Sequence, residues 1–376
     1  MARTSKPQWQ PDPLAIELFA HALVCASGKA PESLWEDFRQ CAQRALARDE
    51  AAFDELMVEI AAMAENQHHQ DVFDFLCDEL ELCAECAEVE KPNGRLEKSV
   101  LFCIPVCLSS LERVTTTLDA RTLDAIHAIL SEASVIGQGL RFELLPSLYP
   151  LETVAAWNPA QAWQLNTAAA ARFLADLDED STMPELPRHQ LETDGHLSGP
   201  LVVRTFCLLG VAVMPEHDLD ALFPPILEEG NPEEGAAGYT SDHEPWAQAL
   251  AAQLKASLGL MTPTCVIAAP EGFYTDVCVG LDMARNVSLA QQMEGILAEM
   301  GEACKPGAAC IEPFGEYGLR AVAEVGDGRE EEFYWPAFEG EDPQECAQAF
   351  VEALESSGFE LMDAHLPSQP GQYLVH

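Results

Sequence analysis

Three cysteines in the amino-terminal half have a spacing that could serve metal chemistry. Cys77, Cys83 and Cys86 are separated by five and by two residues, and thiolates at such spacings can hold zinc in tetrahedral sites. The apolar periodicity of 71–88, however, predicts a helix on which Cys83 and Cys86 lie one turn apart, and no second CxxC pair follows. We therefore expect buried, reduced cysteines, no metal and no cofactor, with a metal or redox site at these three residues as the alternative.

Acidic and aromatic side chains lie next to each other near the carboxyl end, where a run of glutamates at 330–332 precedes Phe333, Tyr334 and Trp335. One interpretation is a strand whose aromatic side chains fill the core while its acids face water. The other is an exposed surface on which aromatic residues anchor a basic partner and acids steer its approach. A second acidic run covers 228–244. The predicted partner-binding residues from both runs are Glu330, Glu331, Glu332, Tyr334, Trp335, Glu339, Glu341, Asp342, Glu228, Glu229, Glu233 and Glu234.

Common catalytic signatures do not occur in this sequence. It contains no GxxxxGK[ST] phosphate loop, no GxSxG nucleophile elbow and no HExxH zinc helix, so the nucleotide-binding, esterase and metalloprotease classes that use them are disfavoured. We predict no catalytic residue. A catalytic site assembled in space from distant parts of the chain stays open as an alternative.

The elements before residue 178 all have helical periodicity, with apolar residues three and four positions apart. We expect residues 1–12 to form a flexible arm and residues 13–177 to form an all-helical bundle or stack. The predicted helices cover 13–28, 31–48, 49–66, 71–88, 95–111, 119–136 and 159–177.

The segment 178–199 is polar, contains proline and glycine and lacks periodicity, so it predicts an acidic linker. Residues 200–376 combine strand and helix patterns and predict an α/β domain, which makes the whole chain an α+β protein. Residues 211–216 and 266–271 both run from an apolar strand into Pro-Glu. This repeat indicates either a duplicated strand-helix unit or the chance recurrence of a common strand-to-helix turn. The predicted strands cover 201–214, 265–269, 318–325 and 332–338, and the predicted helices cover 218–227, 244–258, 273–284, 288–300 and 343–356.

Three motifs follow one another between residues 273 and 342. They are Tyr274-x3-Cys278-x3-Asp282-x2-Arg285-x2-Ser288-Leu289, then Pro313-Phe314-x-Glu316-Tyr317-x-Leu319-Arg320, then Trp335-Pro336 with Gly340-Glu341-Asp342. In these motifs the carboxyl-terminal half resembles a proteobacterial family of unknown function, whose members pair a helical amino-terminal part with an α/β carboxyl-terminal part. The resemblance implies this architecture and no particular activity.

The composition is dominated by acidic residues: 63 Asp and Glu against 20 Lys and Arg give 376 residues a net charge of −43. A hydrophobic content of 48% is nevertheless sufficient for a folded core. Such a polyanion is repelled by nucleic-acid phosphates and anionic lipids, so we expect neither to bind directly. The longest apolar stretch, 206–214, is too short to span a bilayer. With no export signal in the sequence, we expect a cytoplasmic location.

The charge is unevenly distributed, with −17 in residues 1–190 and −26 in residues 191–376. The leading hypothesis is a non-enzymatic acidic protein of the bacterial cytoplasm that inhibits or masks a basic partner. The partner would be a nucleic-acid-binding protein or nuclease, whose basic groove a nucleic-acid mimic would fill. Alternatives are a toxin-immunity or chaperone adaptor protein, an enzyme or metal-binding protein with a site between the two domains, and a charge that only maintains solubility.

Overall fold

The computed structural model describes residues 11–90, 96–110, 117–137, 140–175, 202–214, 244–258, 265–300, 306–313, 318–325, 328–336 and 343–364. Its helices are α1 Pro13–Cys25, α2 Glu32–Leu46, α3 Glu50–Gln67, α4 Gln70–Glu85, α5 Ala120–Glu132, α6 Leu151–Ala155, α7 Pro159–Ala175, α8 Pro245–Leu258, α9 Phe273–Met300 and α10 Pro343–Ser356. Its strands are β1 Cys86–Glu90, β2 Leu96–Ser110, β3 Arg141–Pro150, β4 Val202–Met214, β5 Cys265–Ile267, β6 Pro306–Pro313, β7 Gly318–Val325, β8 Arg329–Pro336 and β9 Glu360–Ala364.

The larger of two sheets has the antiparallel order β1-β2-β4-β3, with β5 also paired to β2. Helices cover both of its faces. On one face Leu101 and Cys103 of β2 share a core with α1 to α4, α6, α7 and the start of α9. On the other face Phe102 and Ile104 pack with α5 and α8. Because both faces are buried, β2 is apolar throughout 100–108 and β4 throughout 206–214.

The helix predicted over 95–111 is wrong, because residues 96–110 form β2. Residues 141–150 form β3, so the prediction of an all-helical region over 13–177 is wrong as well. A strand buried on both faces loses its period of two, and periodicity alone cannot then distinguish it from a buried helix. Pro105 was the contrary signal. The Pro105 carbonyl accepts a hydrogen bond from the Ala268 N–H at 3.3 Å, so the Pro105 nitrogen points to the same edge of β2. At this position β1 no longer pairs with β2 and the pairing with β5 starts, so the missing N–H of proline interrupts neither strand pair.

Strands from both sides of the predicted linker belong to this sheet, since β4 pairs with β2 and β3. The linker 178–199 and residues 1–10 of the predicted arm lie outside the described residues. In the predicted duplicated unit, residues 266–271 run from β5 towards α9, whereas the predicted helix 218–227 lies outside the described residues. The duplication therefore stays a prediction.

The smaller sheet has the order β8-β7-β6-β9, in which only the β6–β9 pair is parallel among the described strands. Its inner face packs against α10, with Phe333 and Trp335 beside Phe350 and Leu354. The chain is thus a mixed helix-and-sheet protein, as the α+β prediction required. No helix in the described ranges is long and apolar enough to cross a membrane.

Helix α9 packs against both sheets. Val277 and Leu281 in its first half belong to the core of the larger sheet, and Leu289 in its second half belongs to that of the smaller one. At Gly280 the helix approaches β2 so closely that an added Cβ would lie 3.0 Å from Cβ of Pro105. The two segments predicted at 273–284 and 288–300 are therefore one helix.

Candidate functional site

Strand alternation on β8 separates the predicted partner-binding residues into two groups. Trp335 is 2% exposed, stacks on Phe350 at a centroid distance of 5.0 Å and lies below the guanidinium of Arg285, 5.9 Å from its carbon. The prediction that Trp335 anchors a partner is therefore wrong, because its ring fills the core. Glu331 shares this side of the strand and forms an ion pair with Arg329.

The other three residues of β8 that were predicted as binding residues face outward. Glu330 and Glu332 are exposed and Tyr334 is half-buried. The Tyr334 hydroxyl donates to the Glu332 carboxylate, and this hydrogen bond raises the pKa of the tyrosine. The Tyr334 backbone N–H donates to Oε1 of Gln292 at 3.2 Å, so α9 covers the edge of β8 while the outer side chains stay accessible.

Neighbouring strands add further acids to the same face. Glu324 of β7 lies directly opposite Glu330, and Glu312 of β6 lies opposite Arg320. Arg320 is held between two carboxylates, bonding Glu332 Oε1 at 3.2 Å and also Glu312, whose hydrogen bond raises the pKa of the guanidinium. We call this surface the acidic face. Its residues are Glu312, Arg320, Glu324, Glu330, Glu332, Tyr334 and, on β9, Glu360.

The electrostatics of the acidic face suit a cationic ligand. Within the described residues, neither Glu324 nor Glu330 forms an ion pair with a basic side chain. The two carboxylates lie directly opposite each other on adjacent strands. Like charges in directly opposite positions destabilise a sheet, and an approaching cation would relieve this repulsion. Sequence reasoning missed Glu312, Glu324 and Glu360. The period-two pattern of 318–325, with Arg320 and Glu324 alternating with alanines, was the signal that could have placed Glu324 here.

The remaining predicted binding residues lie outside the described residues. They are Glu339, Glu341, Asp342, Glu228, Glu229, Glu233 and Glu234.

The three cysteines with metal-like spacing do not share one helix. Helix α4 carries Cys77 and Cys83 but ends at Glu85, so Cys86 begins β1 and the predicted one-turn spacing is wrong. Burial raises the pKa of Cys77 to about 11 and that of Cys83 to about 12, and it raises the pKa of Cys86 as well. The thiols are protonated at neutral pH, whereas zinc binds thiolates. Across the described ranges, no group of three or more His, Cys, Asp or Glu side chains could hold a metal.

Comparison with known proteins gives a match over residues 3–366 to the family described as "Protein of unknown function (DUF2863)". The chain belongs to this family. The DUF2863 match covers nearly the whole chain, so it is consistent with the predicted membership of a family of unknown function, but the similarity is not confined to the carboxyl-terminal half. No curated protein and no solved structure matches the DUF2863 chain.

Proposed function

We propose that the protein binds a basic protein partner through the acidic face of the smaller sheet. The observation that supports this most strongly is the alternation of β7 and β8, which points Glu324, Glu330 and Glu332 to one exposed side. On that side Arg320 is already bonded to Glu312 and Glu332, so it does little to neutralise the other acids. The net charge of −43 gives the encounter its long-range attraction.

The sheet holds these carboxylates at regular separations, roughly 4.8 Å between strands and about 6.8 Å along one strand. A rigid array of negative charges can contact several Lys and Arg side chains at once. A nucleic-acid-binding groove presents such a set of basic side chains to the phosphates of its ligand. We therefore include in the proposal that the partner is a nucleic-acid-binding protein, such as a nuclease, which is masked or inhibited by competition.

A cytoplasmic location is part of the same proposal. Cys25 and Cys41 are buried in the helical core as thiols, and burial raises the pKa of both. Unreactive buried thiols of this kind are typical of a reducing compartment.

The test is capture of a partner from native lysate by the wild type and by two variants of equal charge. The first variant reverses the acidic face with Glu324→Lys, Glu330→Lys and Glu332→Lys. Glu331 is left unchanged because it pairs with Arg329 towards the core side of the strand. The matched control reverses exposed acids elsewhere with Glu55→Lys, Glu65→Lys and Glu132→Lys.

We expect the wild type and the control to retain the same protein at low salt and to release it at high salt, because exposed charges are screened beyond about a Debye length of 8 Å. The acidic-face variant should retain little of it at either salt concentration. Equal retention by all three proteins, or equal loss from both variants, would contradict the proposal. Far-UV circular dichroism of the variants checks that each is folded.

A further inference from the structure

Two buried carboxyl groups hold the first turn of α9. Glu85, the last residue of α4, is 7% exposed and accepts hydrogen bonds from the backbone N–H groups of Phe273 and Tyr274. Asp276 is 0% exposed and accepts from the N–H groups of Glu271 at 2.9 Å and Gly272 at 3.3 Å. The first backbone N–H groups of a helix have no hydrogen-bond acceptor within the helix, so these two carboxyl groups supply the missing acceptors.

The two carboxyl groups meet at Gly272. Its N–H donates to Oδ2 of Asp276, and a Cβ on it would lie only 3.1 Å from Oε1 of Glu85. Helix α9 therefore brings its own acid and the acid of α4 close to the same backbone residue. Two carboxylates that share a buried site oppose each other's ionisation.

The groups that face this pair from the neighbouring elements supply no positive charge to it within the described residues. Glu81 of α4 and Glu271 before α9 are acidic, and Tyr274 of α9 has a hydroxyl with no hydrogen-bond partner there. The remaining titratable neighbours are thiols, Cys86 of β1 and Cys103 of β2.

Two neutral or distant groups complete these surroundings. On α7, Asn166 is a neutral neighbour whose Nδ2 donates to the Glu85 carbonyl at 2.6 Å. Lys98 of β2 is engaged by Glu88.

Burial raises the pKa of Glu85 to about 7, with Glu81 adding to the effect and the two backbone N–H groups opposing it. Burial likewise raises the pKa of Asp276, to which Glu85 and Glu271 contribute. Desolvation thus outweighs the hydrogen bonds and the helix dipole, both of which favour the ionised form.

We propose that Glu85 and Asp276 form a pH-sensitive latch, which docks the first turn of α9 most firmly while at least one of them is protonated and loosens it when both are ionised. The latch is independent of the proposed function. The folded protein holds the Glu85 proton more tightly than the unfolded chain does. The contribution of Glu85 to the stability of the folded state is therefore complete below the ordinary glutamate pKa of 4.5. It is lost as the pH rises through about 7.

The test is backbone hydrogen exchange of the full chain at pH 6 and pH 8, read by mass spectrometry and corrected for the intrinsic change of exchange rate. In the wild type we expect peptides covering 271–277 to lose about tenfold in protection between the two values, because pH 6 lies about one unit below the Glu85 pKa and at pH 8 the group is almost fully ionised. Peptides covering 285–293 of the same helix should change little and serve as an internal reference.

Glu85→Gln keeps an oxygen acceptor for Phe273 and Tyr274 but cannot ionise, so its protection over 271–277 should be equal at both pH values. Glu55→Gln, at an exposed position of α3, should behave as the wild type. If Glu85→Gln fails to fold, Glu85→Ala takes its place with the same expectation, because it has no ionisable group at this position either. Equal corrected protection of the wild type at both pH values, or an undiminished pH dependence in the folded variant, would overturn the latch.

Discussion

The two sheets of this protein differ in what their faces meet. In the larger sheet, consecutive residues of β2 such as Phe102 and Cys103 point to opposite faces and are both fully buried. In the smaller sheet, consecutive residues of β8 such as Tyr334 and Trp335 separate into an accessible and a buried group. The difference separates two kinds of surface: two apolar faces support the fold, and the outer face of the smaller sheet presents the charge through which we propose that a partner binds.

The largest expected effect is at the centre of the larger sheet. Phe102 packs edge-on against Phe142 with ring centroids 6.1 Å apart, and its ring occupies the space that a Cβ on Gly210 would need. Phe102→Ala should lower the free energy of unfolding by about 4 kcal/mol through lost burial and a residual cavity. Glu332→Ala on the acidic face should change it by less than about 0.5 kcal/mol. Urea denaturation measures both, and similar values would break the contrast between the sheets.

The next effect compares neighbours on one strand of the smaller sheet. Trp335→Ala should cost about 3 kcal/mol, near the lower limit for a buried tryptophan, because its Nε1 has no hydrogen-bond partner within the described residues and nothing is lost there. Tyr334→Ala should cost less than about 1 kcal/mol, since the side chain lies on the accessible face and its hydroxyl bonds the exposed Glu332. Thermal unfolding of the two variants gives the comparison. A larger loss for Tyr334→Ala would reverse the assignment of the two faces.

The pH dependence of global stability is the third prediction. The free energy of unfolding should fall by about 2 kcal/mol between pH 5 and pH 8 through Glu85, because its pKa in the folded protein is raised from 4.5 to about 7. Glu85→Gln should remove most of this slope while leaving the repulsion among surface acids. Urea denaturation at a series of pH values measures it, and a variant with the wild-type slope would exclude Glu85 as its source.

The smallest effect concerns the paired acids of the acidic face. Glu330→Gln should raise the free energy of unfolding by about 0.2 to 1 kcal/mol, because it removes the like charge opposite Glu324. Glu332→Gln should bring no such gain, since it loses an ion pair with Arg320. The gain should shrink at high salt. A gain that persists at high salt would show that repulsion is not its cause.

The sequence predicted the elements with clear periodicity and failed where burial hid it. The acidic run followed by aromatic residues correctly indicated a strand, which covers Arg329–Pro336, while 337–338 of the predicted range 332–338 lie outside the described residues. The interpretation as a core strand fits Phe333 and Trp335. The long strand β2 was mistaken for a helix because helices bury both of its faces, which removes the polar positions that reveal a period of two.

Candidate residues could be predicted only where they are neighbours in sequence. Glu330 and Glu332 were found because they share one strand, whereas Glu312, Glu324 and Glu360 reach the acidic face through strand pairing. Glu85 and Asp276 are brought together by the packing of α9 against the end of α4. The period-two pattern of 318–325 could show that Glu324 faces outward, but no local pattern shows which distant strands and helices pair with one another.

The most direct test of the central claim is carboxyl footprinting of the complex with the captured partner. A water-soluble carbodiimide labels exposed acids with an amine, and mass spectrometry locates each label. We predict that Glu324, Glu330 and Glu332 are labelled in the free protein and protected in the complex, while the exposed controls Glu55, Glu65 and Glu132 are labelled equally in both. Unchanged labelling of the three acidic-face residues, with protection elsewhere on the chain, would contradict the account.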